Sequence, residues 1–147
     1  MTQSVRISGF HLITALTFLL VPAFLHAQSE PPMKAVDEGN GIIQYEYDTN
    51  KDGRVDLVVR LDAQGKRVSE SVDFNHDGKM DDFYTYRNGV LVSREVDTNF
   101  DGKVDLRVWL KGGIYVTRYE RDLNFDGKPD IVKVFESDSP QQDTESK

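Results

Sequence analysis

The sequence predicts an all-β fold, an eight-stranded antiparallel meander of hairpin repeats. Three observations predict it. Four acidic loops of one pattern return every 24 or 25 residues, the intervals between them alternate apolar and polar residues, and a short turn signal splits each interval. Alternation with a period of two marks a strand with one buried face. A fixed return distance marks copies of one supersecondary unit.

Along the chain, residues 1–27 hold no Asp or Glu, and Arg6 is their one charged residue beside His11 and His26. An apolar run from Leu12 to Leu25 is broken only by Thr14 and Thr17, and Ala27 or Ala23 offers a small residue at a cut point. This is the layout of a secretory signal peptide. The run spans 14 residues, short of the roughly 18 a spanning helix needs. The expectation is therefore an exported chain, periplasmic or secreted, with no membrane span after cleavage. Residues 28–40, polar with Pro31-Pro32, read as a disordered linker. Residues 137–147, rich in Ser, Asp and Gln, read as a disordered tail. The domain between them is 41–136.

That domain opens with an extended run, Gly41 to Tyr47. After the first loop come Val55 to Leu61, the turn Ala63-Gln-Gly-Lys66, and Arg67 to Val72. After the second come Met80 to Arg87, Asn88-Gly89, and Val90 to Val96. Asn-Gly between β-rich runs is the strongest short hairpin signal. After the third come Val104 to Leu110, Gly112-Gly113, and Ile114 to Arg121; Ile131 to Glu136 closes the series. Strands joined alternately by acidic loops and short turns place all the loops at one end of the sheet. Val55, Leu57, Val59 and Leu61 share a face by parity, as do Val104, Leu106, Val108 and Leu110. Asp82, Glu70, Arg94 and Lys133 fall on the same apolar face, as misfits or as marks of bulges that shift register. An apolar face with no helix to cover it predicts a sheet curled toward a barrel or a sandwich.

The loops are Asp48-Thr-Asn-Lys-Asp-Gly-Arg-Val-Asp56, Asp73-Phe-Asn-His-Asp-Gly-Lys-Met-Asp81, Asp97-Thr-Asn-Phe-Asp-Gly-Lys-Val-Asp105 and Asp122-Leu-Asn-Phe-Asp-Gly-Lys-Pro-Asp130. Positions 1, 5 and 9 are always Asp, position 3 is Asn and position 6 is Gly. A hard cation such as Ca²⁺ takes six to eight oxygen ligands with flexible geometry. The expected ligands are Asp48, Asn50, Asp52, the Arg54 carbonyl and Asp56; Asp73, Asn75, Asp77, the Lys79 carbonyl and Asp81; Asp97, Asn99, Asp101, the Lys103 carbonyl and Asp105; and Asp122, Asn124, Asp126, the Lys128 carbonyl and Asp130. About four Ca²⁺ follow from that oxygen chemistry. Position 12, where an EF-hand has its bidentate Glu, is Val59, Tyr84, Val108 or Lys133. Losing that ligand points to dissociation constants on the order of 10⁻⁴ to 10⁻³ M. Turn propensity alone explains an acidic Asx-rich loop, but not three aspartates held at the same spacing four times.

The run Asp122 to Val132 resembles the calcium loop of FG-GAP/VCBS-type repeats, as in integrin propeller blades. The chain is also similar to bacterial exported proteins labelled for an EF-hand domain. The resemblance implies calcium bound at positions 1, 3, 5, 7 and 9. It does not imply the propeller, whose blades carry about four strands each, where here two strands separate successive loops.

Other chemistry is sparse. The chain has no Cys, which excludes disulfides, thiolate metal sites and a Cys nucleophile. Without the first 27 residues it counts 17 basic against 25 acidic residues, a formal charge of −8; that argues against nucleic-acid partners. His76 is the one histidine after residue 27, so catalytic triads are not available. The expectation is a chain that is not an enzyme, with a hydrolase as a distant alternative. Its function reads as a calcium-binding structural or interaction module with an unidentified protein or glycan partner. The other alternative is a carbohydrate or cell-surface binding protein. It would use the opposite sheet face, where Val58, Arg60, Phe83, Arg107, Trp109 and Arg118 lie.

Overall fold

The computed structural model describes residues 31–135. The signal peptide expected over 1–27 and the tail expected over 137–147 lie outside them. The described strands all belong to the unit Pro32–Lys147.

There are nine described strands: β1 Lys34–Gly39, β2 Ile42–Tyr47, β3 Leu57–Leu61, β4 Arg67–Val72, β5 Asp82–Arg87, β6 Val90–Val96, β7 Leu106–Lys111, β8 Tyr115–Arg121 and β9 Ile131–Val134. They form one sheet in sequence order, and each pairs antiparallel with its neighbours in the chain. The meander is thus as the alternation predicts, with two corrections. The expected linker contains a strand, β1, so the sheet has nine strands rather than eight. The signal was Asn40-Gly41, the same dipeptide as Asn88-Gly89. All four residues have positive φ, 54° and 76° in the first turn and 54° and 79° in the second. Two successive left-handed residues make the two-residue turn whose twist suits a hairpin. The second correction concerns closure. β1 pairs only with β2, and β9 only with β8, so the sheet is open rather than a barrel. Lys34, Asp37 and Glu38 lie exposed along β1, and charges on an outer strand oppose further pairing.

Strands β3, β5 and β7 begin two residues later than the apolar runs suggest. The acidic loops keep the chain through position 9, and only then does the ladder resume. Register shifts fall at Asp37/Gly39, Arg60/Leu61, Thr85/Tyr86 and Trp109/Leu110, each on the short-turn side of its hairpin.

The buried face gathers Leu57, Val59, Val72, Tyr84, Val96, Val108 and Leu110. These lie on β3 to β7, the middle strands of the sheet. Each fully buried Leu or Val contributes about 1.5–3 kcal/mol through apolar area removed from water. Among them sit three of the four charged residues that parity placed there, Glu70, Asp82 and Arg94. Glu70 pairs with Tyr84, and Tyr84 with Arg94; Asp82 lies between Val72 and Val96. They keep regular register, so they mark no bulge. Asp82 and Arg94 bury together: the Arg94 Nε–H donates to Asp82 Oδ1 at 2.9 Å and Oδ2 at 3.1 Å. The Tyr84 hydroxyl donates to Asp82 Oδ2 at 2.8 Å. Burial pulls the Arg94 guanidinium down, and the bonds and charge of Asp82 more than offset it, leaving it above its ordinary value. Lys133, paired with Tyr119 on the outer strand β9, stays exposed.

Candidate functional site

The four acidic loops connect β2 to β3, β4 to β5, β6 to β7 and β8 to β9, at one end of the sheet. They wind in one way. In each, the carboxylate at position 1 accepts the Gly N–H of position 6: Asp48 from Gly53 at 2.7 Å, Asp73 from Gly78 at 2.7 Å, Asp97 from Gly102 at 2.6 Å and Asp122 from Gly127 at 2.7 Å. The Asn at position 3 turns its Oδ1 to the N–H of position 5, at 3.0, 2.9, 3.1 and 3.0 Å. The Asp at position 5 accepts the N–H of Arg54, Lys79, Lys103 or Lys128 at 2.8–2.9 Å. Donors aimed at one side require left-handed backbone at positions 4 and 6. Position 4 is Lys51, His76, Phe100 or Phe125, all at φ of 59–65°. Position 6 is the glycine, at 87–94°, where an L side chain is strained.

Position 9 holds the mouth of each loop. Asp56, Asp81, Asp105 and Asp130 accept the N–H of position 2 from Thr49, Phe74, Thr98 and Leu123 at 2.7–3.0 Å. Where position 2 is Thr, its hydroxyl donates as well, Thr49 to Asp56 at 2.8 Å and Thr98 to Asp105 at 2.7 Å. The sequence shows Thr in both places, and its role follows once the loop is seen to close on itself. The loops are also joined to one another. The N–H of Asp73 reaches the carbonyl of Asp56 at 2.9 Å, Asp97 that of Asp81 at 2.8 Å, and Asp122 that of Asp105 at 2.8 Å. Successive loops therefore stand two strands apart, about 9.6 Å at ordinary sheet spacing.

This arrangement divides the expected ligand set. In the first three loops the oxygens of positions 1 and 3 meet on one N–H, that of Asp52, Asp77 or Asp101. There, too, the Asn amide reaches the second oxygen of the position-5 carboxylate at 3.1–3.2 Å. Position 9 points instead at the amides of the loop entrance. Among the described residues, no three or more acidic or His side chains are gathered as a ready cage for a metal ion. The donors nevertheless fit a hard cation in kind, being carboxylate and amide oxygens. A carboxylate has about four lone-pair sites, and these bonds fill only some of them. The electrostatics differ between positions. The Arg54 N–H, with Asn50 next, holds the Asp52 carboxyl below its ordinary value. Burial pushes Asp81 up, and the charges of Asp73 and Asp77 add to the push against its backbone hydrogen bonds. His76 places its Nδ1 3.6 Å from Asp56 Oδ2 of the preceding loop.

No protein-family model matches this chain, and no curated protein does. Two solved structures are similar in outline. One is a mutant TarM of S. aureus in complex with fondaparinux, alpha-GlcNAc-glycerol and UDP, 18% identical over 76% of this chain and 21% of that one, with a TM-score of 0.48. The other is the GtfA/B complex, 16% identical over 75% of this chain and 22% of that one, with a TM-score of 0.42. The chain thus spans about a fifth of each neighbour's length. Both neighbours are glycosyltransferases. The expectation that this chain is not an enzyme is corrected on that finding and is withdrawn. Likeness at this level transfers no activity, substrate or partner.

On the opposite face, the arginines that the binding alternative relies on are tied down. Arg60 bonds Glu38 at 2.8 Å, Arg107 bonds Glu95 at 3.0 Å, and Arg118 bonds Glu120 while lying 5.4 Å over the Trp109 ring. Glu95 and Glu120 are therefore engaged along the sheet, not with the loops beside them.

Proposed function

We propose that this chain is an exported calcium-binding protein, periplasmic or secreted, whose four loops each hold one Ca²⁺. In this reading it is a structural or interaction module. The observation that carries the reading is the convergence, in the first three loops, of two side-chain oxygens, from positions 1 and 3, on a single backbone N–H. The position-5 carboxylate is bonded alongside. A cation drawn to that point would take these oxygens, with the carbonyls of Arg54, Lys79, Lys103 and Lys128, the position-9 carboxylates and water completing the shell. The resemblance of the loops to those of FG-GAP/VCBS-type repeats supports the same ion. Four Ca²⁺ would also offset the formal charge of −8 left after residue 27.

Binding to the folded state alone stabilises it by mass action. One site at 100 times its dissociation constant adds about 2.7 kcal/mol. The test is metal counting by equilibrium dialysis at millimolar Ca²⁺, with thermal melts in Ca²⁺, Mg²⁺ and chelator. About four bound ions and a melt raised selectively by Ca²⁺ are expected from the ligand chemistry. Absence of bound Ca²⁺ together with identical melts would end this reading.

A further inference from the structure

We propose that Glu70 is a proton-responsive latch in the middle of the sheet: the fold holds it as a neutral carboxylic acid, and ionising it loosens β4 from the strands on either side. Glu70 is 1% exposed. Its cross-strand neighbours are Val59 on β3 and Tyr84 on β5. Among the described residues, its Oε1 has no hydrogen-bond partner. From the described residues, its Oε2 receives one long bond, from the Tyr86 hydroxyl at 3.4 Å. Most buried side-chain polar atoms have at least one hydrogen-bond partner of good geometry.

The charges around Glu70 do not supply one. On its own strand, Arg67 Nη1 stands 3.9 Å from Oε2, too far for a hydrogen bond. From β5 come Tyr84, Tyr86 and Asp82, the last repelling a second negative charge. From β6 comes Arg94, which is committed to Asp82 at 2.9 and 3.1 Å. From β3, the residues on this face are Leu57, Val59 and Leu61, which offer nothing polar. An ionised carboxylate so placed carries a desolvation cost that the neutral acid avoids. Burial pushes the Glu70 carboxyl above its ordinary value, with Arg67 and Tyr86 opposing in part. A raised folded-state value makes protonation favour the fold. The contribution is complete below the unfolded value and is lost as pH rises through the folded one. Glu70's hydrogen bond and ion pair go to Tyr86 and Arg67, neither of them a proposed calcium ligand, so the latch rests on groups outside the metal sites.

The test compares thermal melts of the full chain and of Glu70→Gln from mildly acidic to mildly alkaline pH, with calcium held constant. Gln keeps the shape and cannot ionise. The variant is expected to melt above the wild type at neutral and alkaline pH, with the gap closing toward acid. A gap that is constant, or that widens toward acid, overturns the proposal. A second measurement uses no variant: the side-chain carboxyl ¹³C resonance of Glu70 in the wild-type protein, followed through pH. Titration above that of the exposed glutamates supports the latch, and titration together with them overturns it.

Discussion

Replacing Arg94 by Met should be among the most damaging single changes in this molecule. Asp82 has no exposed surface and Arg94 is 5% exposed. The substitution removes both bonds from the Arg94 Nε–H to the Asp82 oxygens and the ion pair from Nη2. Among the described residues, it leaves a carboxylate in the core with the Tyr84 hydroxyl as its one remaining side-chain donor. Breaking a buried pair from one side costs about 3–5 kcal/mol. For a domain of about 100 residues, roughly 4 °C of melting temperature goes with each kcal/mol, so a fall of about 12–20 °C follows. The double variant Asp82→Val with Arg94→Met removes both charges together and fills the space with apolar groups. It should recover most of the loss, since exchanging a whole buried pair for packed hydrophobes is often neutral or better. Urea unfolding followed by Trp109 fluorescence and by circular dichroism gives all corners of the cycle. A single variant within about 1 kcal/mol of wild type would show that the pair is not paying a buried charge's desolvation. A double variant no better than the single would show that packing, not the stranded carboxylate, sets the cost.

Two further outcomes concern the loops. Phe100 and Phe125 stand at φ of 64° and 60°, where a bulky side chain is disfavoured, and both are well exposed. Phe100→Asn should therefore stabilise the fold by about 1 kcal/mol in chelator, and a loss of stability would mean that the ring makes a contact worth more than the strain. Asp105→Ala removes the acceptor for the Thr98 N–H and hydroxyl and should cost about 1–3 kcal/mol even without calcium; an unchanged urea midpoint in chelator would refute the closing role given to position 9.

Much of this architecture was legible because the evidence for it is local. Asn88-Gly89 fixes a hairpin within two residues, and parity fixes which side of a strand a residue faces. Parity even placed Glu70, Asp82 and Arg94 on the buried side. Sequence could not show why Asp82 and Arg94 are tolerated there, because the answer lies across strands: they are 12 residues apart in the chain and bonded in space. The strand over Lys34–Gly39 was hidden by its composition. Its exposed charges look like a linker until Asn40-Gly41 is recognised as a turn. Closure was overestimated because pairing of first and last strands depends on edge chemistry that no apolar pattern records. In the loops, the spacing of aspartates indicated oxygens turned to a common point. It could not indicate that backbone N–H groups would claim many of those oxygens, nor that position 9 would face the entrance.

The unbroken sequence order of the strands has a mechanical consequence. Every strand leans only on its chain neighbours, so contacts are short in sequence and the entropy of closing each new loop is small. Tension applied through the two ends of the chain would act at opposite margins of the sheet, on β1 and β9. It would peel hairpins one after another, like a zip drawn from both sides, rather than shear the whole array at once. The last strands to part would be the central ones around Tyr84.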